Sequence, residues 1–284
     1  MADFLANEVK TSIKPQAWRV EFTEDSEDRP DGVEAIEIAE PRSVTALLVP
    51  AAPAEALARA AESVGELIVI WMPPGVNTPA TIERDADEWM RAAGLKRKEA
   101  IARAEVRTVR VVCDEDRAVV YASAGDRGVA LDAIVRFIVA QKEVLRLEAT
   151  MKSTWAAIEA DRALTHAVLP RHQKMQKHVN EMTEIATRLK MAWLRVVRSL
   201  EQMDPALAEP SKRIFAELAS AASLYDRAEM LDGAVQFALD HYEISNTRLI
   251  DTNLAREERI NSILGYGLIA MLLVLQIWIM WGVR

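Results

Sequence analysis

Residues Ile263 to Trp281, ILGYGLIAMLLVLQIWIMW, hold no charged side chain and only one strongly polar one, Gln276. As a helix rising ~1.5 Å per residue the segment spans ~28 Å, close to the ~30 Å hydrocarbon core of a bilayer. That length and composition fit a membrane span, whereas the core helix of a soluble domain is normally shorter and carries a polar stripe. Trp278 and Trp281 at one end and Tyr266 near the other are amphipathic rings of the kind that settle at headgroup depth. Arg256, Arg259 and Arg284 flank the segment. Ile263, Leu264, Leu268, Leu272, Leu275 and Ile277, with the two tryptophans, are the expected membrane anchor.

Only Gly282, Val283 and Arg284 follow the span, which places the rest of the chain on one side of the membrane. The opening residues, MADFLANEVKTSIKPQAW, have neither the apolar core of a signal peptide nor the Arg-rich, acid-poor character of a transit peptide. The expectation is a single-pass, tail-anchored protein of the inner, cytoplasmic membrane with its large domain facing the cytoplasm. Arg256 and Arg259 agree with the positive-inside bias, and Arg284 counts against it. The single cysteine, Cys113, rules out an intramolecular disulfide and suits a reducing compartment.

A formal net charge of -8 argues against a surface built to hold nucleic-acid phosphates, so no nucleic acid is expected as a partner. Prolines concentrate before residue 80, and the later chain reads as helix. The expected fold class is α+β: a small N-terminal α/β domain, then long helices forming a coiled-coil-like stalk, then one transmembrane helix. The expected limits are 1–16 for an arm, 17–125 for the α/β domain, 126–262 for the stalk, 263–281 for the span and 282–284 for a tail.

Within the α/β domain, Ala17 to Thr23 alternates as a strand, with Trp18, Val20 and Phe22 on one face. The acidic run Glu24 to Asp31 reads as a solvated loop and lacks the spacing of a calcium-binding loop. Val44 to Val49 and Glu66 to Met72 read as strands, with a helix at Ala54 to Val64 between them that Gly65 stops. Thr78 and Pro79 open a second helix expected to close at Gly94. Val106 to Val112 and Ala118 to Ala122 read as an antiparallel hairpin.

Three long helices follow. The first starts at Asp126 and is expected to reach about Leu169; the second runs from about Arg171 to Met203. The third is expected to be capped by Ser211 and to continue unbroken into the span, ~105 Å in all. Along it, Leu224, Ala228, Leu231, Val235, Ala238 and Tyr242 alternate at steps of four and three, the seam of a coiled coil. Gly265, Gly267 and Ala270 offer a small-residue patch for another membrane helix, and Gln276 a hydrogen bond across it. Leu224, Leu231, Val235, Tyr242, Gly265, Gly267 and Gln276 are therefore the residues expected in helix-helix association, and self-association is the expectation drawn from them.

No catalytic, cofactor-binding or metal-binding residue is expected. Neither phosphate-loop motif occurs, no nucleophile elbow or HExxH is present, and Cys113 sits in a strand without an obvious catalytic base nearby. His166, His172 and His178 recur every six residues, ~240° apart on one helix, so their rings diverge and read as solvated. His241, beside Asp240, Tyr242 and Glu243, reads as part of a surface cluster. Acidic residues such as Glu143, Glu148, Glu159, Asp161, Glu181 and Glu184 alternate with Lys142, Arg146, Lys152 and Arg162 and read as ordinary surface pairs.

AIVRFIVAQKEVLRLEATM, Ala133 to Met151, and HYEISNTRLIDTNLAREERINSILGYGLIAMLLVL, His241 to Leu275, resemble the helical half of the required-for-meiotic-nuclear-division family of membrane-anchored proteins. That resemblance implies a non-enzymatic, oligomeric membrane anchor or scaffold; an unidentified cytoplasmic protein partner is expected beside it. The layout also resembles CorA-type magnesium transporters, whose stalk helix enters the membrane directly from a cytoplasmic α/β domain. A second membrane helix and a Gly-Met-Asn filter motif belong to that family and are missing from these 284 residues. The alternative it leaves is an oligomeric pore or channel-like assembly.

Overall fold

In the computed structural model, which describes residues 14–24, 33–58, 66–73, 80–96, 101–166, 174–202, 204, 205 and 207–282, strand β4 (Leu67–Met72) lies at the centre of a seven-stranded sheet. Its sequence, LIVIWM, is apolar at every position and every side chain is buried, as a strand covered on both faces requires. The others are β1 (Gln16–Thr23), β2 (Glu34–Ile38), β3 (Val44–Ala51), β5 (Ala102–Val106), β6 (Val109–Cys113) and β7 (Arg117–Tyr121). Their order across the sheet is β2-β3-β1-β4-β7-β6-β5, and only the β4–β7 pair is parallel.

Helices α1 (Pro53–Ala58) and α2 (Ala80–Lys96) cover one face, where Ala56, Ala86, Trp89 and Met90 pack with Ile68, Ile70, Met72 and Val119. Helix α3 (Arg127–Asp161) covers the other, with the Arg127 guanidinium over the rings of Trp18 and Trp71 and the Lys142 ammonium over Phe22. The alternation read in β1 therefore has a structural meaning: Trp18, Val20 and Phe22 face α3. Ile134, Phe137 and Ile138 of α3 are fully buried, each contributing about 1.5–3 kcal/mol by leaving water.

The remaining elements are a 3-10 turn (Arg162–Thr165), α4 (Gln176–Glu201), α5 (Glu209–Ala221) and α6 (Leu224–Gly282). Two compact units result, Met1–Ala149 with Met191–Leu231 and Thr150–Lys190 with Asp232–Arg284. The α+β class holds: a sheet domain, then long helices ending in an apolar one.

Several local expectations are corrected. Strands β2 and β5 were not read from the sequence, because EAIEI and ARAEV interleave charges that mask a single buried face. The hairpin strand expected at 106–112 is divided between β5 and β6 by a tight turn in which Arg107 takes φ 54°, a conformation no glycine announced. Glu105 of the edge strand β5 donates its backbone N–H to the Glu217 carboxylate at 2.9 Å, which occupies an otherwise open edge position. Helix α2 continues through Gly94 to Lys96. Regular helix in α3 stops at Asp161, well before the proline at 170.

The third long helix is interrupted. Helix α5 ends at Ala221, Ser223 takes φ 51°, and α6 starts at Leu224. Ser211 lies inside α5 and donates its hydroxyl to the Val129 carbonyl at 3.0 Å, while Ala208 occupies the cap position. Neither glycine nor proline marks the break, so the sequence signal for it is weak. The acidic run after Glu24, His172, the cap at Thr78 and Pro79, and the end of the helix expected to reach Val64 lie outside the described residues.

Candidate functional site

Helix α6 places nearly all the expected functional residues on one rod of 59 residues. Over its first half the four-three pattern is buried: Leu224, Val235, Ala238, Tyr242 and Leu249 are fully covered, and Ala228 and Leu231 nearly so. The cover comes from this same chain. Trp193 of α4 donates its indole N–H to the Ala228 carbonyl at 2.9 Å, and Lys190 of α4 meets Asp232 at 2.6 Å. Trp155 of α3 lies 5.4 Å from Phe237, ring centroid to centroid. The seam residues Leu224, Leu231, Val235 and Tyr242 thus associate helices inside one molecule. The helix-helix association expected of these four residues is here an association within one chain, since their side chains are buried in the monomer.

A buried polar layer sits beside the seam and escaped sequence reading. Asp161, 4% exposed, accepts hydrogen bonds from the Tyr242 hydroxyl at 3.1 Å and from His178 Nε2 at 2.8 Å. Gln176 bonds Asn246 at 2.5 Å, and the Arg248 guanidinium reaches the His166 carbonyl at 3.0 Å. These bonds tie the end of α3 and the start of α4 to α6 within the second unit. Burial, followed by the Asp161 carboxylate, raises the Tyr242 hydroxyl pKa, so the phenol stays a donor.

His241 is buried, 7% exposed, which corrects its reading as a surface group. Its ring meets Tyr242 edge-on at 5.0 Å, and its Nε2 finds no hydrogen-bond partner among the described residues. Burial lowers its pKa; Asp161 opposes that shift and His166 adds to it. Of the expected surface acids, Asp161 and Glu143 are both buried, the latter held by Arg146 through a two-point bond of 2.5 and 2.8 Å. No period or spacing distinguishes Asp161 from its exposed neighbours; a tyrosine on the apolar stripe, needing a partner for its hydroxyl, was the available hint.

Below Leu249 the burial ends. From Leu254 to Trp278 every side chain of α6 is exposed, including Ile263 (63%), Leu264, Leu268, Leu272, Leu275, Ile277 and Trp278, and Trp281 reaches 82%. A Cβ added at Gly265 or Gly267 would meet nothing within 4 Å, and Gln276 is exposed as well. Roughly ten large aliphatic side chains are exposed between Ile263 and Ile277. At about 1.5–3 kcal/mol each, leaving them in water forfeits on the order of 15–30 kcal/mol, more than the ~5–15 kcal/mol that holds a typical domain together. Among the described residues this is the one helix long and apolar enough to cross a membrane.

In the first unit, two clefts flank the α3 side of the sheet. One, of about 260 Å³, is lined by Glu40, Arg136, Arg198 and Asp204 above an apolar floor that includes Leu207 and Phe215. The other, of about 290 Å³, is lined by Phe22, Lys142, Glu143 and Arg146 among others. Among the described residues no group of three or more His, Cys, Asp or Glu side chains is placed to hold a metal ion. Cys113 is fully buried, and burial with the neighbouring Asp114 raises its thiol pKa, which keeps it protonated.

No family model matches the chain, and no curated protein matches it. Among solved structures, that of the full-length CmaX protein is similar over 86% of this chain and 82% of its own, at 12% identity and a TM-score of 0.29. A likeness that shallow carries no argument about fold or function.

Proposed function

We propose that the chain is a non-enzymatic, membrane-anchored scaffold: α6 crosses a bilayer once, holds the sheet domain on the cytoplasmic side of the inner membrane, and associates with other copies through its apolar end. The observation that carries this reading is the uncovered stretch from Ile263 to Trp278, continuous in one helix with an upper half whose four-three stripe is buried. Lipid is the medium that removes the cost of that exposure. With the seam occupied internally, copies are left to meet through the span, where Gly265 and Gly267 let backbones approach and Gln276 finds a partner. The exposed surface of the sheet domain is then what a cytoplasmic protein partner binds.

The test is to compare the full chain with a chain ending at Arg259 in cell membranes and in detergent. The full chain is expected in the alkali-resistant membrane fraction and as an oligomer in detergent; the shortened chain is expected in solution as a folded monomer. Recovery of the full chain in the soluble fraction would overturn the anchor, and an oligomeric shortened chain would overturn assembly through the span. Ion flux through liposomes holding the full chain would replace the scaffold with a pore.

A further inference from the structure

We infer that the cleft of about 260 Å³ in the first unit is a binding site for a small zwitterion of the amino-acid class with an apolar side chain. The inference starts from the charges at its rim. Arg198 of α4 donates to Glu40 at 3.1 Å, and Arg136 of α3 lies 3.6 Å from Asp204. Arg136 is further fixed by Asp132 at 2.9 Å and the Glu37 carbonyl at 3.3 Å, so its position is set by the fold. Two cation–carboxylate pairs therefore line one cleft.

That arrangement discriminates between ligand classes. A phosphate or dicarboxylate entering the cleft would meet Glu40 and Asp204, and a bare cation would meet both guanidiniums; like charges brought together at short range are disfavoured. A wholly apolar ligand would strip water from the rim without replacing its hydrogen bonds. A ligand carrying one charge of each sign, close together, satisfies both. The bond between Arg198 and Glu40 leaves further N–H donors on the guanidinium and a second carboxylate oxygen, so a ligand carboxylate can sit on Arg198 while its ammonium sits on Glu40. Below the rim, Leu207 and Phe215 supply an apolar floor for a side chain. The volume falls just under the ~300 Å³ at which drug-sized pockets begin, which suits a single amino acid.

The experiment is calorimetric titration of the full chain in detergent with leucine, methionine and phenylalanine, with 3-methylbutylamine and 4-methylpentanoate as the single-charge analogues of leucine. Leucine or one of the other two is expected to bind, each analogue at least tenfold more weakly than leucine, and Arg198→Gln and Glu40→Gln are each expected to weaken amino-acid binding at least tenfold. Arg198 is two-thirds exposed, so its variant is expected to keep the melting temperature of the parent. No heat with any of the three amino acids would overturn the assignment. So would equal binding of either analogue, or binding that survives both substitutions.

Discussion

Between Leu224 and Leu249, helix α6 buries a side chain at each four-three step against α3 and α4; between Leu254 and Trp278 it buries none, although the second stretch is the more apolar. The same backbone runs through both. Burial in the upper part follows from pattern, because polar residues between the apolar ones leave a single stripe that intramolecular partners can cover. From Ile263 onward the whole circumference is apolar, and no single partner helix covers a whole circumference. A solvent of the same polarity does.

This contrast can be broken most forcefully by exchanging perturbations between the halves. Leu231→Ala is expected to destabilise the soluble domain by about 2–5 kcal/mol, read as a lower urea midpoint, with no change in membrane partitioning. Leu272→Arg is expected to do the reverse, costing about 3–4 kcal/mol of membrane insertion and leaving the urea midpoint of the head unchanged. If Leu272→Arg unfolds the head or Leu231→Ala releases the chain from membranes, the halves are not independent.

A smaller effect sharpens the role of the polar layer. Tyr242→Phe removes a donor from the buried Asp161 carboxylate while keeping the ring, and is expected to cost about 1–3 kcal/mol in urea unfolding. An unchanged midpoint would mean that His178 alone satisfies that carboxylate.

The smallest expected effect is a pH dependence confined to the upper half. His241 is held neutral by burial, and its folded pKa lies below the ordinary histidine value of about 6.5. Below that value the unfolded chain binds the proton that the folded chain resists. Stability is therefore complete above about pH 6.5 and declines as pH falls toward the folded pKa. His241→Phe is expected to flatten this part of the melting-temperature profile between pH 7.5 and 5, with the His178–Asp161 pair present in both proteins and common to both curves. An identical slope in the variant would assign the dependence to other groups.

Much of this molecule was legible before any coordinates. Glu66 to Met72 reads as a strand from its apolar run alone, and the alternation of Trp18, Val20 and Phe22 puts the three on one face, the face that α3 covers. The break at Ser223 and the turn at Arg107 were not legible, since each depends on a positive φ adopted by a residue that rarely takes one. The rim of the first unit's cleft was equally hidden: Glu40, Arg136, Arg198 and Asp204 are far apart in sequence and ordinary in type.

What the sequence by itself determined is the period and polarity of each segment, and with them the strand at Leu67–Met72, the stripe from Leu224 to Leu249 and the apolar end that follows. Those are local properties, written in residues near one another along the chain. Only the tertiary structure decided who covers the stripe, which acid among many is buried, and where two arginines meet two carboxylates. Such outcomes depend on which distant segments are brought within a few ångströms, and no spacing along a single helix encodes that.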